Sequence, residues 1–329
     1  MKIAAPVSSV SEVEMLLDNG ADELYCGFSP AEWETRFGSR FWVNRRNPAR
    51  ASFSSPADLG QAIRLAHQAK VPVYVTLNAP FYPAAAVPVL LDLSRRLADE
   101  LQADGLIVSD LNLLLSLARL ELPIGIHLSS LGGCANTRTA AFYASLGVRR
   151  IILSRQLRRS EIEGLVKVAP PGVEFEVFAL NDGCYFEEAL CQTSHLPGPF
   201  CLSRWEDALP SGAGPAPSPD TLERERESLR RHLWFQNNCG SSFQKDGLPN
   251  GPCSLCAFGR FRDWGVKAVK IVGREASFHR KMASLQLVKA VMDLVRKGVS
   301  PGEIEKHARS FRDTPELCDT GYMCYYGGP

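Results

Sequence analysis

Six of the ten cysteines of this 329-residue chain lie between Glu176 and Cys256, about a quarter of its length. They are Cys184, Cys191, Cys201, Cys239, Cys253 and Cys256, and two more, Cys318 and Cys324, sit near the end. Thiols this dense, in a chain that opens without a secretion signal, point to a metal rather than to disulfides, because a reducing cytosol disfavours structural disulfides and a chain this long does not need them. Zinc usually takes two close pairs of ligands, and only Cys253 and Cys256 form a Cys-x-x-Cys pair here. His195 and His232 are the histidines near enough in sequence to complete a mixed site. Iron-sulfur clusters accept thiolates at looser spacings, since their corners are reached from different loops. An iron-sulfur centre is therefore the first expectation, zinc the second and unmetallated thiols the third. Cys26 and Cys134, in the first half, read as ordinary buried thiols.

A second group of residues could bind or move charge. His127 stands beside Ser129 and Ser130, where it would orient a substrate, relay a proton or be satisfied by its neighbours. Arg149, Arg150, Arg155, Arg158 and Arg159 crowd one strand and its exit. Arg155 is the one expected to reach a site and bind a carboxylate or phosphate in two-pronged fashion, with the others on the solvated outside. Lys270 and Arg274 bracket a later strand, and Arg274 would serve the same purpose. No Gly-x-Ser-x-Gly and no His-Glu-x-x-His occurs, so serine and zinc peptidase mechanisms lack their usual support. A cysteine nucleophile would need a histidine brought to it by folding.

These residues need a frame, and the hydrophobic pattern supplies one. Short apolar runs at 2–5, 23–26, 73–78, 105–110, 124–129, 150–155, 174–180 and 269–272 alternate with amphipathic segments, as in parallel strands buried on both faces. Ser9-x-x-Glu12 and Ser160 with Glu163 read as capping boxes, and Ser55-Pro56 as a helix start. Eight β/α repeats without a Gly-x-Gly-x-x-Gly predict a closed (β/α)8 TIM-type barrel, whose chemistry gathers at the C-terminal ends of its strands. Residues 28–50, rich in arginine and aromatics, read as a long loop on that side.

The expected organisation is barrel strands one to seven over 1–183 and a cysteine-rich insertion over 184–256. The last barrel helix, strand and closing helix follow over 257–312, with a cysteine tail over 313–329. The insertion carries a Pro/Gly/Ser linker at 208–220 and a charged helix at 221–234, which reads as a solvated face or a partner-binding element.

With 37 basic and 36 acidic side chains the formal charge is +1, so any polyanion site must be local. Hydrophobic residues at 45% and charged residues at 22% indicate an ordinary globular chain. No apolar run is long enough to span a bilayer, and a cytoplasmic location is expected.

The motif residues Glu176, Phe178, Cys184, Cys191 and Ser194 resemble the signature of peptidase family U32, the collagenase-like family. Its frame is Glu-x-Phe-x-x-Gly-[Ser/Ala]-x-Cys-x4-Gly-x-Cys-x-x-Ser. Ala5-Pro6, Gly20-Ala21-Asp22, Leu255-Cys256 and Lys270-Ile271-Val272-Gly273-Arg274 are similar to further family landmarks. Asn181 and Ala189 replace the two signature glycines, and Val272 replaces an acid common before the Gly-Arg pair.

The resemblance implies a part in oxygen-independent hydroxylation of a ubiquinone precursor, a tRNA wobble uridine or a ribosomal RNA cytidine, with prephenate as oxygen source. It implies a 4Fe-4S cluster on Cys184, Cys191, Cys201 and Cys256, with Cys253 and Cys239 as competing ligands. Arg155 and Arg274 would hold a small anionic co-substrate, and His127 or Glu176 would handle protons. The alternatives are a peptidase of the collagenase-like type and a non-catalytic cluster-bearing subunit that recruits a protein partner through the insertion.

Overall fold

The computed structural model describes residues 1–183, 188–190, 217–238, 251–321 and 323–327. Eight parallel strands close into a ring: β1 (Lys2–Pro6), β2 (Glu23–Phe28), β3 (Val73–Leu77), β4 (Gly105–Val108), β5 (Gly125–Leu128), β6 (Val148–Ile152), β7 (Glu174–Leu180) and β8 (Ala268–Ile271). Neighbours pair in chain order, and β1 closes the ring by pairing with both β8 (Lys2 opposite Ala268) and β2 (Ala4 opposite Glu23). The expected (β/α)8 barrel is therefore the observed fold. A two-residue strand, Ser52–Phe53, adds to the C-terminal end of β2.

Local signals set the helix starts. Ser55 accepts from Asp58 N ahead of the helix Pro56–Gln68, Asp110 accepts from Leu113 N ahead of Leu111–Leu117, and Asn136 accepts from Thr139 N ahead of Thr137–Ser145. Two expected boxes differ in detail. Ser9 makes no capping bond; the Glu12 carboxylate accepts from Ser8 N and pairs at 2.8 Å with the buried Lys281. At the second, Glu161 reaches back to Arg158 N at 2.6 Å, so the helix begins at Arg159.

The loop expected at 28–50 contains short helical turns at Ala31–Trp33, Glu34–Gly38 and Pro48–Ala51. The charged helix of the insertion runs longer than expected, Pro219–Asn238. Beyond the closing helix Phe278–Arg296 lie two more, Pro301–Arg312 and Pro315–Thr320. Ser300 caps the first of these by accepting from Glu303 N, a Ser-x-x-Glu signal present in the sequence. The outer core is built from the apolar faces of strands and helices, with Leu24, Leu106, Val177, Val269, Phe258 and Val288 among its fully buried members.

The interior of the ring is different. Barrels of this type are usually filled with layers of branched aliphatic side chains. Here Arg150 on β6 donates to Glu23 on β2, the strand diametrically opposite, a contact that can only run through the lumen. It also pairs with Glu174 (2.7 Å) and Glu176 (3.2 Å) on β7. Lys270 completes the set, with its Nζ 2.9 Å from Glu176 and 3.7 Å from the centre of the Tyr25 ring. Arg150, expected on the solvated outside, is thus a core residue. Three carboxylates around two buried cations satisfy charges that would otherwise be prohibitive to desolvate.

Candidate active site at the barrel mouth

Above this ionic layer the C-terminal strand ends build a polar mouth. Arg274 follows β8, is buried, and donates to Thr76 Oγ1 on β3. Thr76 Oγ1 in turn donates to Cys26 O at 3.0 Å. The guanidinium lies against the backbone of β2 at Gly27, where a Cβ would collide with Ser52 Oγ and stand 2.7 Å from Arg274 Nη1 and 2.8 Å from Ala51 O. Among the described residues Arg274 has no ion-pair partner, and burial, reinforced by Arg46, pulls its pKa down to about 10. Val272, in place of the family's acid, supplies no carboxylate. A buried guanidinium with a hydroxyl partner and no anion is chemically suited to bind a carboxylate or phosphate.

The neighbouring loops close around it. Arg46 pairs with Asp182 at 3.1 Å and reaches Glu275 at 3.8 Å, and Glu275 also accepts from Asn47 N at 2.8 Å. Asn78 accepts from Arg45 N and donates to Ser129 Oγ, tying the loop after β2 to the ends of β3 and β5. Beside them Phe41, Trp42, Arg45 and Phe81 line a shallow recess. The Phe41 and Phe81 rings meet edge to face at 6.3 Å, and Phe81 is 44% exposed. The arginine-rich loop therefore belongs to the mouth, as its position in the sequence indicates.

Arg155 also reaches the mouth, but its charge is engaged. It is ion-paired to Glu188, whose other oxygen accepts from Arg155 N at 3.0 Å, and its guanidinium lies 3.7 Å over the Phe178 ring. Tyr325 from the C-terminal tail flanks the same guanidinium. Glu188 also accepts from Ser130 Oγ at 3.0 Å, so this carboxylate fastens the start of the insertion to the rim.

His127 lies deeper than expected, third of four residues in β5 and packed on Tyr74 with ring centroids 4.4 Å apart. Burial, with the nearby Arg150 cation, pulls its pKa down to about 3, and its Nδ1 has no hydrogen-bond partner. It is a neutral imidazole below the mouth. Glu176 is likewise a lumen residue: burial opposes its ionisation, but Lys270 and then Arg150 outweigh this and hold its pKa below the usual carboxylate range. The structure thus brings Arg274 and Arg155 to the mouth, and leaves His127 and Glu176 beneath it.

Cys184, Cys191, Cys201 and Cys239, with His195, lie outside the described residues. Cys256 begins the step from the insertion into the helix Phe258–Trp264, in the turn Leu255–Ala257. Its thiol is pushed up to about 12 by burial and by its neighbours Cys253 and Cys324. Cys253 is buried at the end of β7, bridged to Leu180. The two thiols of this Cys-x-x-Cys step are of the type that soft cations bind as thiolates, with loss of their protons. Among the described residues no group of three or more His, Cys, Asp or Glu side chains is set to hold a metal ion.

Asn181 occupies a signature glycine position with φ of 72°, a left-handed backbone that glycine or asparagine tolerates. Its side chain donates to Ser284 Oγ at 2.7 Å, which fixes the exit of β7 against the closing helix. Sequence reasoning missed Thr76, Gly27, Glu188 and Tyr325. Only the first two carried a signal, by lying at strand ends that must face the mouth.

The chain is 25% identical over 196 residues to tRNA hydroxylation protein P of Helicobacter pylori (strain J99), covering 60% of this chain and 43% of that protein. It is 28% identical over 194 residues to the protein of the same name from Escherichia coli (strain K12), covering 59% and 39%. The chain spans less than half the length of these relatives. Among solved structures, the U32 peptidase Mk0906 matches with a TM-score of 0.44 and 17% identity, over 59% of this chain and 76% of that one. The model of peptidase family U32 matches residues 8–328, nearly the whole chain, and the chain belongs to that family.

Proposed function

We propose that this chain takes part in oxygen-independent hydroxylation of an RNA base at the C-terminal mouth of the barrel. The observation that carries the reading is the buried Arg274 at the strand ends, which bonds the Thr76 hydroxyl and has no carboxylate partner among the described residues. Prephenate, the co-substrate implied by the resemblance, is a dicarboxylate of the right charge. The recess of Phe41, Trp42 and Phe81 beside Arg45 offers what an unpaired base needs, a π-face to stack on and a cation nearby. The relatives named tRNA hydroxylation protein P favour RNA over a quinone precursor as acceptor.

Cys256 would be one ligand of the iron-sulfur cluster implied by the resemblance, with Cys184, Cys191 and Cys201 as further ligands and Cys239 and Cys253 as competitors. Bound there, such a cluster would supply one-electron chemistry without oxygen. The chain's own contribution is positioning. Arg274 holds the anion, the aromatic recess holds the base, and the neutral His127 and ionised Glu176 keep the lumen beneath the site fixed and dry.

Mass spectrometry of nucleosides from tRNA and ribosomal RNA of a deletion strain tests the reading, with complementation by wild type and by Arg274→Met. A hydroxylated nucleoside should vanish in the deletion, return with wild type and stay absent with the variant. Unchanged RNA nucleosides together with a lost quinone would move the acceptor to the quinone branch. Peptide-library cleavage that disappears with one substitution would establish the peptidase reading instead.

A further inference from the structure

Two stretches of the chain are rich in arginine, and only one of them neutralises its own charge. In the helix Pro219–Asn238 the arginines meet glutamates of the same helix: Arg226 pairs with Glu223 at 3.8 Å, Arg230 with Glu223 and Glu227 at 2.8 Å each, and Arg231 with Glu227 at 4.0 Å. The loop after β2, residues 28–50, holds five arginines against two glutamates in a chain whose formal charge is only +1. Both of those glutamates are turned to other partners, Glu32 to Arg96 on the helix Val87–Asp99 at 3.8 Å and Glu34 to the Ser29 hydroxyl. Arg36, Arg40 and Arg50 are exposed, and among the described residues they form no ion pair.

The loop presents these charges from a fixed frame. Trp33 is buried, with its ring centre 4.8 Å from that of Phe37, and its Nε1 donates to Phe41 O at 3.0 Å. Arg40 N and Phe41 N both donate to Phe37 O at 2.8 Å, which closes the turn carrying Arg36 and Arg40, and the Arg36 guanidinium lies 5.2 Å over the Phe37 ring. At the other end Asn47 accepts from Ala49 N ahead of the turn Pro48–Ala51, which carries Arg50 into the strand Ser52–Phe53. Between the two turns lie Phe41 and Trp42 of the aromatic recess, with Arg45 on its lining. Cations on both sides of stacking rings, on backbone ordered before any ligand arrives, cost little further ordering on binding.

We propose that Arg36, Arg40 and Arg50 form a phosphate track that leads a single-stranded stretch of RNA across the loop after β2 and into the recess of Phe41, Trp42 and Phe81. The track rests on the reading of the mouth as an RNA site and adds the surface that holds the strand. A guanidinium takes two phosphate oxygens at once, and the neighbouring rings supply faces on which bases stack. That combination fits a single strand better than an acidic protein, which offers carboxylates but no bases. Each phosphate neutralised releases condensed counterions, so binding weakens with salt, and the steepness counts the contacts. With basic and acidic side chains nearly equal over the whole chain, a local set such as this one is the source of that dependence.

Fluorescence anisotropy of the full-length protein with a labelled tRNA anticodon stem-loop, repeated over a range of about 50 to 200 mM salt, tests the track. The wild type should be compared with Arg36→Gln/Arg40→Gln/Arg50→Gln and with Arg226→Gln/Arg230→Gln/Arg231→Gln, which removes the same charge from the self-paired helix. The slope of log Kd against log salt should be shallower by about 2 to 3 in the loop variant, at about 0.7 to 0.9 per lost contact, and unchanged in the helix variant. All six side chains are exposed, so both variants should melt with the wild type. A loop-variant slope equal to that of wild type overturns the track, as does an equal flattening in both variants, which would report net charge alone. Loss of poly-glutamate binding in the loop variant with an unchanged RNA slope would give the surface to an acidic protein and overturn it too. The two readings fail separately. A flattened slope in a protein whose deletion leaves RNA nucleosides unchanged keeps the track and ends the hydroxylation reading, whereas RNA hydroxylation with an unchanged slope ends the track alone.

Discussion

Lys270 Nζ stands 2.9 Å from Glu176 Oε1 inside the closed ring of strands, with both side chains almost wholly removed from solvent. Glu176 thereby bridges Lys270 and Arg150, and the two cations keep it ionised against the penalty of burial. Glu176→Gln should therefore destabilise the fold by roughly 3 kcal/mol, because it leaves Lys270 buried without its carboxylate. Pairing it with Lys270→Met should recover part of that loss. Urea unfolding of the single and double variants measures both, and an E176Q variant as stable as wild type would show that the network is not what holds the lumen.

Arg274 is the opposite case, a buried cation with no ionic partner among the described residues. Arg274→Met should leave stability unchanged or raise it by up to about 2 kcal/mol, since no buried carboxylate is orphaned. The same change should abolish binding of prephenate in calorimetry. Gly27→Ala should weaken that binding too, because its Cβ would meet Ser52 Oγ, Arg274 Nη1 and the Ala51 carbonyl oxygen together and force them apart. Strong destabilisation by Arg274→Met would mean that the guanidinium is structural.

His127 makes stability depend on pH. Its folded pKa is depressed to about 3, against an ordinary value near 6.5, so between these values the unfolded chain takes up a proton that the folded chain refuses. The His127 contribution is complete above pH 6.5 and is lost as pH falls toward 3, with a slope of at most about 1.4 kcal/mol per pH unit. Denaturant titrations at pH 5 and pH 7 should show a smaller difference for His127→Gln than for wild type. Equal differences would place the imidazole in water.

Phe81 is the exposed ring of the aromatic recess. If a base stacks there, Phe81→Ala should weaken RNA binding by ~1–3 kcal/mol, roughly 5- to 150-fold in Kd, with little change in melting temperature. Fluorescence anisotropy with a labelled tRNA anticodon stem-loop measures it. Undiminished affinity would remove the recess from the RNA path.

How much of this the sequence carries depends on how local each feature is. Eight strands, the cap at Ser55, the long loop after β2 and the placement of Arg274 at a strand end all follow from spacing within a few residues, because helix and strand periods and capping bonds act over that range. The helix Pro301–Arg312 was missed, although Ser300 and Glu303 carry the Ser-x-x-Glu signal at its start. The expectation of a soft metal rests on the type and number of the cysteines alone.

Tertiary structure decided the rest. In a parallel barrel both faces of a strand are buried, so a charge in an apolar run reads the same whether it points into the lumen or marks an exposed edge. Only closure of the ring, which sets β6 opposite β2, shows that Arg150 meets Glu23. The same holds for the tail: Cys324 lies 71 positions from Cys253, and no local rule pairs residues so far apart. A parallel bridge joins them because the last helices fold back across the rim, a long-range packing outcome that residue types at those two positions do not encode.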